Sequence, residues 1–549
     1  MINKLLNSQQ KTISAASLVL AASYLLSSLL GLLRDRLLAG TFGGTSTPDI
    51  YYAAFTVPDF VALILIMGAI SAAVIPIFSS YLMKSKEDAW KYVSTLLNVF
   101  LGFLILTCVI FVIIAPLIIS FTAPGFSGAK KDAAVLLMRI MFLSPIILGA
   151  SNMISGILQV FHRFLVTALA PLLYNAGIII GILYFYPAIG ISGLAWGVVL
   201  GGTMHLLVQL PSFFYSGFRW RPNFNIFDPG VVKTIKLMIP RSLGLGALQI
   251  NTIAITAIAS TLAAGSIAVF NWANNLSMVA VNAVAVSVTT AAFPIMSMAF
   301  LQEDKNDFIR KFSSVLRQMI FITMPLAILL LLLRAQIVRV ILGVGKFSWA
   351  DTELTTACLG IFALNLIAPQ LILFLSKAFY AAHNTKIPAL ISIFSVTFNI
   401  VLSLFLVWLI RTSPGFYIFL HEFLRLGQAT NVAITGLALA YSITGVLQTI
   451  FLLCMFWKKF PSINNKEILD SLYKILIASL AMGFVVFWAR NLIGFNSALL
   501  DTFWGVFLQL VVPSIFGCVV YFTSAHFLKS PETRIVKDTL LKKFLYSSK

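Results

Sequence analysis

The amino-acid sequence predicts an all-α membrane protein with about 14 transmembrane helices. Hydrophobic residues make up 60% of the 549 residues and charged residues 10%, and the mean hydropathy is +0.97. A soluble domain has about 45–50% apolar and about 25% charged residues, so large soluble domains are excluded. The formal charge of +20 would suggest a nucleic-acid partner in a soluble protein. Here we interpret it as loop charge that fixes membrane topology, and we expect no nucleic acid.

Fourteen apolar segments follow one another along the chain, each long enough for the roughly 20 residues that a spanning helix needs. The first follows a polar stretch and is interpreted as a retained helix rather than a signal peptide. We number them segments 1 to 14, at roughly 13–33, 51–82, 92–122, 133–160, 165–187, 190–216, 231–260, 267–300, 314–343, 354–382, 388–410, 433–457, 468–492 and 502–527.

Basic residues are distributed unequally between the two sets of connections. The N-terminus, the even-numbered connections and the C-terminal tail hold 23 Lys and Arg when Lys233 and Lys236 at the start of segment 7 are included. The odd-numbered connections hold 8, including Arg490 at the end of segment 13. Short loops rich in Lys and Arg stay on the cytoplasmic side of a membrane. Both termini are therefore predicted to be cytoplasmic.

Two weak sequence matches indicate an internal duplication. Pro-Ile-Phe-Ser at 76–79 recurs as Pro-Ile-Met-Ser at 294–297, and Ser155 with His162 recurs as Ser376 with His383, at offsets of 218 and 221 residues. Each half then has six segments, and an even number makes both halves enter the membrane from the same side. This predicts two six-helix lobes related as a parallel pseudo-repeat, as in transporters that bind substrate between their halves.

The predicted organisation has five parts. It consists of a first lobe (1–216), a cytoplasmic connection (217–230), a second lobe (231–457), an additional helix pair (458–527) and a basic cytoplasmic tail (528–549).

Patterns for catalysis, cofactors and metals are missing from the sequence. The four cysteines lie in separate apolar segments, the five histidines are scattered, and neither CxxC nor HExxH occurs. A Walker A sequence, GxSxG and a hydrolase-like pair of carboxylates are also missing. We therefore predict no enzyme, no cofactor and no metal site.

A charged region lies where segment 1 ends and segment 2 begins. It holds Arg34, Asp35, Asp49 and Asp59, and an ionisable residue inside a membrane bundle is a functional candidate because burying it in lipid costs several kcal/mol. Arg34 and Asp35 fit a structural ion pair as well as a substrate or gating role. Asp59, beside Pro58, fits satisfaction of a kinked backbone as well as a functional role.

A set of motifs extends over most of the first twelve segments. It consists of Gly31-Leu32-Leu33-Arg34-Asp35, Phe42-Gly43, Asp49, Ala54-Phe55, Pro58, Gly68-Ala69, Ser71, Pro76, Phe78, His162-Arg163-Phe164, Pro171 to Asn175, Ala195-Trp196, Gly201-Gly202, Gln209-Leu210-Pro211, Ala378-Phe379-Tyr380 and Lys386-Ile387-Pro388. This set resembles the motifs of the MurJ (MviN) lipid II flippases, within the multidrug/oligosaccharidyl-lipid/polysaccharide exporter superfamily.

The resemblance implies two six-helix lobes around a cationic cavity, with the last helix pair flanking a groove for a polyprenyl tail. In the family, arginines of helices 1, 2 and 8 line the cavity and meet the substrate pyrophosphate. Arg34 matches one of them, and Asp35 the neighbouring acidic residue. The other family arginines fall on Ser28, Ala62, Leu63 and Asn275. Some members bind sodium through carboxylates of helices 7 and 11, and segments 7 and 11 carry none here.

The resemblance predicts a flippase that moves undecaprenyl-pyrophosphoryl-MurNAc(pentapeptide)-GlcNAc to the outer leaflet of the bacterial plasma membrane by alternating access. The predicted partners are this precursor, membrane lipids and cell-wall synthesis proteins. Predicted substrate or gating residues are Arg34, Asp35, Asp49, Asp59, Ser28 and Asn275. Alternatives are an exporter of another polyprenyl-linked glycan or a hydrophobic cation, a non-transporting scaffold, and a glycan-processing enzyme, which would lack paired catalytic groups.

Overall fold

The computed structural model describes residues 13–64, 74–494 and 502–533, and all regular secondary structure in these ranges is helical. Motif residues Gly68, Ala69 and Ser71 and tail residues 534–549 lie outside them. The chain forms two compact units that divide between Ala268 and Val269. The lobe limits at 216 and 231 stay a prediction.

The helices of the first unit occupy segments 1 to 7. They are α1 (Ile13–Phe42), α2 (Ser46–Ala62), α3 (Ile75–Lys84), α4 (Lys86–Ile113), α5 (Ala115–Thr122), α6 (Gly128–Met141), α7 (Leu143–Val160), α8 (Phe164–Ile180), α9 (Tyr186–Ile189), α10 (Ser192–Leu207), α11 (Leu210–Tyr215) and α12 (Pro229–Ser260). A five-residue π-helical turn, Gly181–Phe185, joins α8 to α9.

Segments 8 to 14 continue with α13, which begins at the end of the first unit, and the helices of the second. They are α13 (Ser266–Leu301), α14 (Lys305–Leu332), α15 (Arg334–Leu342), α16 (Trp349–Leu364), α17 (Ile367–Ala381), α18 (Lys386–Thr412), α19 (Pro414–Phe423), α20 (Ala433–Lys459), α21 (Asn465–Ile493) and α22 (Phe503–Phe527).

Many of these helices are long and apolar enough to cross a membrane. In the described ranges, nine helices or continuous helix pairs meet this criterion, and a tenth is added if α16 and α17, bent by 43°, form one broken span. An α-helix is suited to lipid because it satisfies its own backbone hydrogen bonds. The all-α membrane fold is confirmed, and the count of 14 crossings stays a prediction.

Segments 3 and 9 break at corresponding positions. The first breaks at Ile114 and the second at Leu333, 219 residues later, in agreement with the repeat offset. In segment 3, Pro116 has no N–H for the carbonyl of Val112, and the Arg139 Nε donates to that carbonyl at 3.2 Å. A side chain thus replaces the backbone donor that the proline removes.

The histidines of the repeat end their helices with the same turn. His162 and His383 have φ of 57° and 54°, in the left-handed region. At each, the N–H of the histidine bonds the carbonyl three residues earlier, and the next N–H bonds the carbonyl five residues before it. This hydrogen-bond pattern closes a helix C-terminus. The repeat seen in the sequence is therefore present in the backbone.

Helix α8 and the π-helical turn that follows it pack on α10 with their backbones in contact along a seam of glycines. A Cβ on Gly177 would overlap the backbone of Gly201, and a Cβ on Gly181 would overlap that of Gly197. Gly193 packs in the same way against the turn after α8. Small residues at four-residue spacing allow this close approach between membrane helices.

The C-terminal pair α21 and α22 packs on α14 through polar as well as apolar contacts. Tyr521 donates a 2.6 Å hydrogen bond to the carbonyl of Phe321. Arg317 forms ion pairs with Glu467 at 2.6 Å and with the buried Glu532 at 3.5 Å. These contacts fix the pair to the rest of the second unit.

We expect Gly197→Ala to lower the thermal stability of the purified protein, because overpacking a close-packed interface costs about 1–3 kcal/mol. Gly102→Ala is the matched control, since Gly102 lies in helix α4 with no atom within 4 Å of an added Cβ. Melting curves in detergent test this, and equal losses in the two variants would contradict it.

Candidate functional site

The Arg34 side chain is paired with its neighbour Asp35 near the C-terminal part of α1. The Arg34 Nη2 and Nε lie 2.9 and 3.1 Å from the Asp35 Oδ1. The Asp35 side chain is 3% exposed and that of Arg34 20% exposed. Adjacent residues of a helix do not face one another, so the guanidinium must bend along the helix to reach the carboxylate. Tyr52 of α2 donates to the same oxygen at 3.4 Å.

A second carboxylate lies close to this pair. Asp59, on α2, accepts a 3.1 Å hydrogen bond from Gln249 of α12 and is within electrostatic range of Arg34. Its side chain therefore bonds a side chain of another helix rather than the backbone at Pro58. Tyr51 and Tyr174 are within electrostatic range of both Arg34 and Asp59.

These side chains form the polar cluster of the first unit, which we define as Arg34, Asp35, Asp59, Tyr52 and Gln249. It contains one guanidinium and two carboxylates. A phosphate group binds best to guanidinium groups through charge-assisted hydrogen bonds. In the observed arrangement the Asp35 carboxylate occupies that role at the Nε and Nη2 of Arg34.

Asp49 lies apart from the cluster and binds backbone instead. Its Oδ2 accepts from the N–H of Gly265 at 2.8 Å and its Oδ1 from the N–H of Ala268 at 3.0 Å. These N–H groups belong to the first turn of α13 and the residue before it, where a helix attracts negative charge. Asp49 therefore anchors the start of α2 to the start of α13.

Lys130 is the basic partner of Asp49. Its Nζ is 3.8 Å from the Asp49 Oδ2 and 4.1 Å from the ring centre of Phe126. The Asp49 side chain is 3% exposed, and burial of a carboxylate is stabilised by such paired charge and hydrogen bonds. Sequence reasoning counted Lys130 as loop charge and missed this role.

The other two predicted residues are not among the five that define the polar cluster. Ser28 donates at 2.9 Å to the carbonyl of Tyr24, one turn earlier in its own helix. Asn275 lies on α13 in the second unit and is half-buried. Sequence reasoning also missed Tyr52 and Gln249, although a glutamine inside an apolar segment is a signal for a polar partner.

A further polar network lies between α7 and α10 but has the properties of a structural one. Ser151 is 2.6 Å from the His205 Nδ1, and Gln209 donates to Ser151 at 2.8 Å and accepts from Ser155 at 2.7 Å. Ser151 and Ser155 are an i, i+4 pair on one face of α7, and Gln209 follows His205 by four residues, in the turn just after α10. Their polar groups bond one another, which links the two helices inside the unit.

The chain is similar to known proteins over most of its length. Residues 38–508 match the model of the lipid II flippase MurJ family. The chain belongs to this family. The MurJ family is one of transporters rather than enzymes, so the enzyme alternative is excluded and the resemblance seen in the motifs is confirmed.

Relatives of similar length occur in distant bacteria. The probable lipid II flippase MurJ of Buchnera aphidicola is 28% identical over 499 residues, with 90% of this chain and 92% of the relative covered. The probable MurJ of Rhizobium tropici is 27% identical, with 94% of each chain covered. Family membership thus extends over nearly the full chain.

Solved structures agree with this assignment. A lipid II flippase MurJ in an inward closed conformation matches with a TM-score of 0.74 at 25% identity, covering 93% of this chain and 98% of that one. An inward-facing multidrug transporter of the MATE family matches at 0.63 with 17% identity and 80% and 96% coverage, which shows a shared fold.

We expect Asp49→Ala to destabilise the protein by about 1–2 kcal/mol, because the buried N–H groups of Gly265 and Ala268 lose their acceptor. Asp132→Ala is the control, since Asp132 is exposed on the same helix as Lys130. Thermal unfolding in detergent measures the difference. A melting temperature for Asp49→Ala equal to that of Asp132→Ala would refute the anchoring role.

Proposed function

We propose that the chain moves undecaprenyl-pyrophosphoryl-MurNAc(pentapeptide)-GlcNAc from the inner to the outer leaflet of the plasma membrane by alternating access. Membership of the MurJ family carries this proposal. The polar cluster supports it, since ionisable groups inside a membrane bundle are retained where substrates pass. Lipid II is amphipathic, with an anionic head group that hydrocarbon excludes and a tail that it favours.

Alternating access solves the physical problem of such a substrate. The head group crosses within a polar cavity between two six-helix lobes that rock about it, while the polyprenyl tail stays in the bilayer. No continuous pore opens, so ions do not leak during the cycle. Cell-wall synthesis proteins would then receive the precursor on the outer side.

In this scheme Arg34 exchanges partners. The guanidinium leaves Asp35 to bind the pyrophosphate of the substrate and returns to Asp35 after release. Both partners are bound by charge-assisted hydrogen bonds, so the exchange replaces one strong interaction with another. Ser28 and Asn275 would line the same path as weaker, neutral hydrogen-bonding groups. Asp49, at the junction of α2 and α13, would act as a gating residue.

One observation favours an alternative substrate class. The polar cluster has two carboxylates for one guanidinium, an arrangement that suits a hydrophobic cation better than a pyrophosphate. An exporter of the same superfamily with a cationic substrate is therefore the second candidate.

A complementation experiment tests the proposal. In a bacterium depleted of its own lipid II flippase, we expect the wild-type chain to restore surface exposure of the lipid-linked precursor and Arg34→Ala to abolish it. Arg310→Ala is the matched control, because that side chain is 82% exposed. Failure of a correctly inserted wild-type chain would favour the cation exporter, which a dye-efflux assay measures directly.

A double variant separates substrate binding from simple charge pairing. Arg34→Ala removes the guanidinium that compensates the charge of the buried Asp35 carboxylate, which by itself is destabilising. Arg34→Ala with Asp35→Ala removes both charges, so we expect normal stability without transport. Restored transport in the double variant would assign the pair a purely structural role.

The proposed orientation places both termini in the cytoplasm. In a variant without the native cysteines, we expect Lys346→Cys, between segments 9 and 10, to react in whole cells with a membrane-impermeant maleimide. Lys305→Cys, between segments 8 and 9, should react only after the cells are opened. The reverse labelling pattern would invert the topology.

A further inference from the structure

A cavity in the second unit lies outside the polar cluster, where α15, α16, α21 and α22 meet. Its volume is about 330 Å³, within the range of about 300–1,000 Å³ typical of small-ligand sites. We propose that this cavity binds the phosphodiester head group of a membrane phospholipid. The cavity shares no residue with the polar cluster, so the proposal does not depend on the role of Arg34.

Two arginines give the cavity its charge. Arg339 of α15 and Arg490 of α21 both line it, and no carboxylate is among the described residues of its lining. Arg490 donates to the carbonyl of Leu332 at 2.8 Å and to the Asn491 Oδ1 at 3.2 Å, so the groups that hold it are neutral. The guanidinium therefore keeps its full charge toward the cavity.

Two more arginines add positive charge nearby. Arg334 lies within electrostatic range of Arg425 and Arg490. Its Nη1 donates to the carbonyl of Leu331 at 2.8 Å, again a neutral partner. Like charges held close together repel one another, and a neighbouring anion relieves that repulsion. The cluster is thus suited to a phosphate.

A glutamine indicates that the ligand also donates a hydrogen bond. Gln336 lines the cavity, and its amide nitrogen donates to the Gln509 Oε1 at 3.0 Å. Its own Oε1 is buried and accepts no hydrogen bond within the described part of the chain. Because this oxygen is buried, a hydroxyl or ammonium group of a ligand reaches it once the Gln336 amide turns toward the cavity, where an unpaired acceptor suits such a donor beside the phosphate. Phosphatidylglycerol and phosphatidylethanolamine have both a phosphate and, next to it, a hydroxyl or ammonium donor.

Exposed aromatic residues at the cavity favour a lipid over a soluble phosphate. Trp349 lines it and is 52% exposed, and Trp488 and Trp504, on the helices that form it, are 53% and 69% exposed. Tryptophan side chains concentrate where the membrane meets water. Leu492, 72% exposed, lies beside Arg490 and Asn491. A head group in the cavity would therefore leave its acyl chains against an apolar surface.

Titration of lipids onto the purified full chain, followed by native mass spectrometry, tests the proposal. We expect phosphatidylglycerol to bind the wild type at least tenfold more tightly than diacylglycerol, which has the same tails without the phosphate. Arg339→Gln with Arg490→Gln should lose about tenfold or more of this affinity. Arg411→Gln, an exposed arginine of the same unit, should bind as the wild type does.

Further measurements distinguish a lipid phosphate from free phosphate, and loss of binding from loss of folding. Gln336→Leu removes the free acceptor and leaves the arginines. It should therefore weaken the binding of phosphatidylglycerol more than the binding of phosphatidic acid, which has no head-group alcohol. Competition by millimolar inorganic phosphate alone, without a preference for lipid, would overturn the lipid assignment and leave an anion site. Equal binding of diacylglycerol and phosphatidylglycerol would overturn the site, as would unchanged binding in a folded double variant.

Discussion

The ion pair between Arg34 and Asp35 sets the electrostatic state of the polar cluster in the first unit. Inside a membrane bundle neither charge has bulk water as a partner, so each must be compensated by the protein or by a ligand. Asp35 compensates Arg34 at 2.9 Å, and Tyr52 adds a hydrogen bond to the same carboxylate. Asp59 is held separately by Gln249. Because the compensating groups come from α1, α2 and α12, movement of any of these helices changes the charge available to a substrate.

The duplication of the chain extends to its irregularities. The breaks at Ile114 and Leu333 and the left-handed turns at His162 and His383 occur at corresponding places in the two halves. Breaks in membrane helices free carbonyls that need new donors. The first half supplies Arg139 and the second supplies Arg334 and Arg490, so the same backbone problem is solved by arginines from different helices. In the second half these arginines also create the positive charge around the cavity.

Composition and periodicity predicted the helical membrane fold because hydrocarbon imposes a length and a polarity on every spanning segment. The repeat was also visible, because Ser155 and His162 recur as Ser376 and His383 at a constant offset of 221 residues. The site was only partly predictable. Arg34, Asp35 and Asp59 are rare charges in an apolar sequence and were found, but their partners Tyr52 and Gln249 depend on helix packing, which a single sequence does not specify. The partners of Asp49 could not be predicted because they are backbone N–H groups, which every residue except proline has.

The glycine seam between α8 and α10 has a mechanical consequence. Where side chains separate two helices, rotamer changes let the helices slide past one another in small steps. Here Gly177 and Gly181 touch the backbones at Gly201 and Gly197, so there is no side chain to rearrange. A shift to the next register would carry the surfaces through a full helical turn, about 5.4 Å. The two helices therefore move as one rigid body. Any rearrangement within the first unit must occur elsewhere, at its helix breaks and connections.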